Sequence, residues 1–174
     1  MKFVPAVCLV GDAKGKQSYQ YTAIDEYSRW RFVETFEEHN SYSSKLFLKH
    51  LVKAFLFPSD CIQTDNGQEF TKCFSSHGGS EKATIFQVRL AQFGIRHKLI
   101  RPFTPCHNGK VEHSHRKDNE RFYATHTFYS FEDFSSQLNV YSRRDYNGFP
   151  MRPLGWKTPR QVLRDYLRVS VTNV

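Results

Sequence analysis

The sequence predicts an α/β domain built on a five-stranded mixed sheet, three antiparallel strands first and two parallel strands after them, with helices on both faces. Three observations carry this. Residues 2–36 hold three short segments rich in β-branched and aromatic residues, separated by tight turns, the pattern of an antiparallel meander. Residues 41–100 then alternate helical and strand periods, the pattern of crossover connections and parallel pairing. Finally, the chain has 174 residues, 39% of them apolar and 16% aromatic. That suffices for one well-filled core and excludes a generally disordered chain.

Residues 2–10 (KFVPAVCLV) read as the first strand and GDAKGK (11–16) as a turn. SYQYTAI (18–24) reads as the second strand, DEYSR (25–29) as a turn, and WRFVETF (30–36) alternates as the third strand. Asn40 and Ser41 offer an N-cap to a helix in which Leu46, Leu48, Leu51, Val52 and Phe55 lie near a 3.6 period, with Lys45, Lys49 and Lys53 on the solvent side. Pro58 ends it. CIQT (61–64) reads as a short buried strand closed by Asp65-Asn66-Gly67. SSHGGSEK (75–82) reads as a loop, 83–93 as a helix stopped by Gly94, and RHKLI (96–100) as the fifth strand. RPFTPCHNG (101–109) is a loop, 110–125 a charged helix, and further helices are expected at 131–145 and 158–168. This order is an RNase H-like layout. Residues 1–125 form its core, and 126–174 read as a C-terminal helical extension of the same domain.

Several classes fall away. The longest apolar stretch, 46–57, is broken by Lys49, His50 and Lys53, far short of the ~18 residues of a membrane span. The opening MKFVPAVCLVG is interrupted by Pro5 and lacks a cleavage site, so it reads as a strand rather than a leader. Cys8, Cys61, Cys73 and Cys106 form no CxxC pair; a reducing, cytoplasmic setting is expected. Cys106, His107, His113 and His115 lie close together but match no common zinc spacing.

The net charge of +8 is unevenly placed. Residues 96–121 carry +4 and residues 141–168 carry +5, while the remainder is −1. A localised basic surface is the footprint of a polyanion partner, although charge alone leaves a merely solubilising surface open. Phe122, Tyr123, Phe128, Tyr129 and Phe131 cluster after the 110–125 helix. Core or subunit interface is the reading preferred there over base stacking.

Two carboxylates carry the candidate chemistry. Asp65 directly follows a strand, and strand ends in α/β sheets are where ligands collect. Its plainer reading is an ordinary Asx turn. Glu112 lies in the first turn of a helix, where capping is the plainer reading, yet the same face presents His115, Arg116 and Asn119 at i+3, i+4 and i+7. Lys110 and Lys117 add charge to this helix. An acid among basic and polar groups suits a metal-bound carboxylate beside a phosphate backbone.

At these residues the sequence resembles a family. QTDNGQEF (63–70) and PFTPCHNGKVEHSH (102–115) look like the second and third motifs of the DDE recombinases, the retroviral integrases and bacterial insertion-sequence transposases. YTAIDEYSRWRFVETF (21–36) is similar to their second and third strands, and YSRRDYNGFPMRPLGWKTPRQVL (141–163) to the segment that closes the transposase domain. The resemblance spans essentially the whole chain. It implies an RNase H-like fold and catalytic, metal-holding carboxylates at Asp65 and Glu112. It also implies Mg²⁺, with Mn²⁺ able to substitute, and DNA nicking followed by strand transfer. Two such ions, about 3.5–4 Å apart, stabilise the attacking and leaving oxygens of an in-line displacement. Further implications are DNA contacts from Asn108, Lys110, His115, Arg116, Lys117 and Asn119, a homo-oligomer on paired DNA ends, and a bacterial, nucleoid-associated location. Asn108 and Gly109 match the family's loop-to-helix junction.

One departure stands out. The family uses a third acid in the first strand, in a pattern like D-x-K, and its counterpart would fall one residue before Met1. Asp25, at the end of the second strand, is the better internal substitute, and its plainer reading is a turn residue. Impaired catalysis is therefore expected of the chain as written. A non-catalytic module that binds DNA or a transposase is the alternative.

Overall fold

Pro5 sets where the first strand ends. The computed structural model describes residues 2–55, 59–71, 83–101 and 109–172, with side chains through 169. Strand β1 is only Lys2–Phe3, although Val4 still donates to the Ser18 carbonyl at 3.1 Å. Proline has no N–H to continue a ladder, and the chain instead makes 3₁₀ turns at Ala6–Cys8 and Gly11–Ala13. The expected strand over 2–10 is thus cut to its first residues.

The chain divides into two compact units, Met1–Glu37 with His113–Val174, and Glu38–Glu112. In the first, β1 pairs antiparallel with β2 (Tyr19–Ile24), and β2 with β3 (Arg31–Phe36). The meander is as the sequence predicts. Cys8, Leu9, Val33, Phe122, Phe128, Phe134 and Leu138 are the centre of its core. The Phe122 ring lies 4.8 Å from Tyr141 and 5.4 Å from Phe128, and Phe128 lies 5.0 Å from Phe134. Of the aromatic cluster, Phe122, Tyr123 and Phe128 are buried and Tyr129 is exposed. The helices here are α4 (Phe131–Tyr141), capped by the Ser130 side chain, and α5 (Pro159–Thr172). α4 runs on into a π-helical turn at Ser142–Tyr146.

A buried polar network crosses this unit. Arg31 and Asp118 are both fully buried, paired Nη1 to Oδ1 at 2.7 Å. Gln20 donates to Asp118 Oδ2 at 2.9 Å, and the Tyr123 hydroxyl donates to Gln20 Oε1 at 2.7 Å. Asn147 binds the Arg31 backbone on both sides, accepting from its N–H and donating to its carbonyl, each at 2.8 Å. The Arg31 guanidinium sits 4.0 Å over the Tyr146 ring, a cation–π contact, and among the described residues its Nε and Nη2 have no hydrogen-bond partner.

In the second unit, α1 (Ser41–Ala54) starts at Asn40, whose side chain accepts from Ser43 N–H at 2.8 Å. It buries Phe47, Leu48 and Leu51. β4 (Cys61–Thr64) pairs in parallel with β5 (Arg96–Leu99). The parallel pairing is as expected, but β4 alternates between exposed and half-buried residues rather than being buried throughout. Among the described residues the five strands thus form a three-stranded antiparallel sheet and a two-stranded parallel pair.

Helix α2 (Ile85–Gln92) has a complete capping box: the Thr84 side chain accepts from Gln87 N–H, and the Gln87 side chain accepts from Thr84 N–H. The Thr84 hydroxyl also donates to the Phe70 carbonyl at 3.0 Å. Gly94, at φ +67°, turns the chain after the helix. Thr84→Ala removes the cap and should cost about 1–2 kcal/mol, read as a thermal midpoint lower by several degrees in calorimetry.

Helix α3 (Gly109–Asp118) is followed by a π-helical turn, Asn119–Tyr123. The loop over 75–82, Pro58, Cys73, Cys106 and Asn108 lie outside the described residues. Cys8 and Cys61 are free thiols. No helix among the described residues is long and apolar enough to cross a membrane.

Candidate active site

Asp65 owes its position to the turn that ends β4. Its Oδ1 accepts from Gly67 N–H at 3.2 Å, an Asx turn. Asn66 donates its amide to the Ile100 carbonyl at 3.1 Å, and Ile100 N–H donates to the Thr64 carbonyl at 3.0 Å. The turn after β4 is therefore tied to the end of β5, and Asp65 stands at the carboxyl end of a parallel pair. A Cβ at Gly67 would come 2.5 Å from the Glu69 carboxylate, which would have to shift. Glu69 itself is buried and paired with His39 at 2.8 Å. Beneath Asp65, Thr64 Oγ1 and His97 Nε2 are 2.8 Å apart, and burial lowers the His97 pKa.

Glu112 lies exposed in the first turn of α3. Arg116 is exposed on the same helix and binds His113 Nδ1 at 2.9 Å; Lys117 and Lys110 are half-buried. Two residues expected to touch DNA are engaged with the protein. The His115 Nε2 lies 3.2 Å from Thr22 Oγ1, and Asn119 Oδ1 accepts from Lys2 Nζ at 2.6 Å. Lys2 also reaches the His115 carbonyl at 3.3 Å and sits 4.1 Å over the Tyr123 ring. Burial pushes its pKa down to about 8. Lys2 was not legible as a support for α3, since 113 residues separate it from His115. Gly67 was, through the Asp-Asn-Gly turn. Asp25 serves its own turn: its Oδ2 accepts from the Ser28 N–H and hydroxyl, each at 2.7 Å.

Burial pushes the His115 pKa down to about 3, so the imidazole is neutral at pH 7. The unfolded chain takes up this proton near pH 6.5, whereas the folded chain resists it until about pH 3. Stability from this group is therefore complete above about pH 6.5 and is lost on acidification, by up to about 1.4 kcal/mol per pH unit. His115→Gln should flatten that part of the profile, measured as urea midpoints between pH 4.5 and pH 7.

The donor set suits a hard divalent cation. Asp65 is half-buried and Glu112 exposed, and among the described residues Asn66 Oδ1 is buried without a hydrogen-bond partner. Oxygen donors of this kind are what Mg²⁺ prefers. Among the described residues, no group of three or more His, Cys, Asp or Glu side chains converges as a metal site.

The integrase catalytic core of bovine immunodeficiency virus (BIV) superposes with a TM-score of 0.63 at 16% identity, covering 89% of this chain and 91% of that one. A chain of the simian T-cell lymphotropic virus intasome, solved in complex with the PP2A regulatory subunit B56 gamma, superposes at 0.65 with 21% identity. That match covers 86% of this chain and 49% of the other, so the chain spans about half the length of that relative. These likenesses give the fold, RNase H-like. No curated protein matches in sequence. Two descriptions of the integrase core domain match in sequence, one over residues 5–105, which include Asp65, and one over residues 93–159, which include Glu112. With more than half its length matched by the first alone, the chain belongs to the integrase core domain family.

Proposed function

We propose that this chain is the core of a DNA-integrating enzyme that nicks a DNA end and joins the freed 3′-hydroxyl to a target strand. The observation that carries the reading is Asp65, fixed at the carboxyl end of the β4–β5 pair by its Asx turn and the Asn66 tie to Ile100. Asp65 and Glu112 would hold divalent cations. Bound, Mg²⁺ supplies charge stabilisation of the attacking and leaving oxygens at the phosphodiester. The protein's own part is positioning. The turn around Gly67 keeps the Asp65 carboxylate from drifting, so no ordering cost falls on the reacting state. Lys110, Arg116 and Lys117 place positive charge on the helix of Glu112, where a phosphate backbone would lie. His115 stays neutral and steadies that helix against Thr22.

The test is nicking and strand transfer on a DNA duplex with Mg²⁺ or Mn²⁺. The chain is compared with a form carrying one Asp directly before Met1, and with Asp65→Ala in each. Activity that is greater in the extended form and lost with Asp65→Ala is the expected result. A second reading, a binding module without chemistry, is favoured by the lack of a converging three-ligand cluster among the described residues. It expects salt-dependent DNA binding that Asp65→Ala leaves unchanged, and no cleavage in any form.

A further inference from the structure

Helix α5 carries three arginines and one acid. Arg160, Arg164 and Arg168 stand at i, i+4 and i+8, so they occupy one stripe that turns about 40° per step. All three are exposed, while Pro159 and Leu163 on the other side are buried. The stripe is about 12 Å long, from ~1.5 Å per residue. The acid, Asp165, is paired with Lys157 at 2.7 Å.

The positive surface extends beyond the helix. Arg160 donates to the Arg143 carbonyl at 2.9 Å, which fastens the start of α5 to the Ser142–Tyr146 turn that carries Arg143 and Arg144. Every one of the seven cations between 141 and 168 is exposed. Burial of Leu163 explains why α5 packs where it does. It does not explain why the outward stripe holds arginine at every turn. The stripe positions themselves hold only arginine, against one acid on the helix, Asp165, whose pKa is lowered by its hydrogen bond to Lys157 and by Arg168 and Arg164.

We infer that the Arg160, Arg164 and Arg168 stripe of α5 is a track for the phosphate backbone of duplex DNA, carried on an element that holds neither Asp65 nor Glu112. The inference rests on the reading of the chain as a DNA-acting protein and adds a surface to it. Duplex DNA carries about one negative charge per 1.7 Å of axis, so a ~12 Å stripe has phosphates within reach along its whole length. Arginine's planar fork binds a phosphate through two parallel hydrogen bonds. Such contacts fix position on the duplex without reading sequence. The track would hold DNA whether or not the chemistry proceeds.

The experiment is fluorescence anisotropy of a labelled duplex with the full chain, in EDTA, over a series of salt concentrations. The triple variant Arg160→Gln, Arg164→Gln and Arg168→Gln should bind with a log K against log salt slope smaller in magnitude by about 2–3, at ~0.9 per phosphate contact. Arg160→Lys, Arg164→Lys and Arg168→Lys keeps the charges and should keep the slope. An unchanged slope in the glutamine variant overturns the inference, as does equal loss in the lysine variant. A change of mass in sedimentation without a change of slope assigns the stripe to a second copy of the chain and overturns it too. Binding by the unaltered chain with no effect of the variants removes this inference alone. No DNA binding by any form removes the DNA reading with it.

Discussion

In the form carrying an Asp before Met1, Asp65→Asn should lower metal-dependent DNA nicking by about 10³-fold or more in single-turnover assays with Mg²⁺. The substitution separates structure from charge. An asparagine carbonyl can still accept the Gly67 N–H that Asp65 Oδ1 now takes at 3.2 Å, so the turn survives. What goes is one negative ligand for the cation. Lewis-acid stabilisation is worth several kcal/mol, and each 1.4 kcal/mol is tenfold in rate. Glu112→Gln should behave alike, because it too removes a negative ligand and Glu112 is exposed in the first turn of its helix. Unchanged nicking in either variant would sink the assignment of that residue.

Asp118→Ala should be the most destabilising single substitution in the chain. Arg31 and Asp118 are each fully buried, and Asp118 accepts from both Arg31 and Gln20. Removing the acid strands the Arg31 guanidinium, whose Nε and Nη2 already lack hydrogen-bond partners among the described residues, over the Tyr146 ring. Breaking a buried pair in this way costs about 3–5 kcal/mol, or a thermal midpoint lower by roughly 6–20 °C for a chain of this size. The double variant Arg31→Met with Asp118→Leu should lose much less, since replacing both ions by apolar groups of similar volume avoids the stranded charge. If the double variant is no better than Asp118→Ala in urea unfolding, the cost lies in packing and not in the charge.

The contrast between these two acids shows what the sequence could reveal. Asp65 was legible because its determinants are local: a short strand, then Asp-Asn-Gly, all within a few residues. The same holds for the Asn40 cap of α1 and for α2, bounded by Thr84 and Gly94. Asp118 and Arg31 were not legible. In WRFVETF the larger apolar residues Phe32 and Phe36 are only half-buried, while Arg31 shares the buried face with Val33 and Thr35. Nothing in the alternation marks an arginine for the interior when its partner lies 87 residues away. His115 shows the same limit. Its helical spacing places it near Glu112, but burial sets its charge state, and the side chain it meets, Thr22, lies on another element. The first strand is shorter than the apolar run suggests because Pro5 outweighs the β-branched residues around it.

The arrangement of the two units along the chain sets an order on synthesis. Residues Glu38–Glu112 are contiguous, whereas the other unit needs segments from both ends. Arg31 leaves the ribosome 87 residues before Asp118. At about 5–20 residues per second, that is an interval of about 4–17 s in which the guanidinium has no acid to pair with and must remain in water. The Arg31 guanidinium therefore cannot be buried with its acid during that interval, whereas Glu38–Glu112 is complete at Glu112, before Asp118 is added. The nascent chain should thus gain its structure from the middle outward.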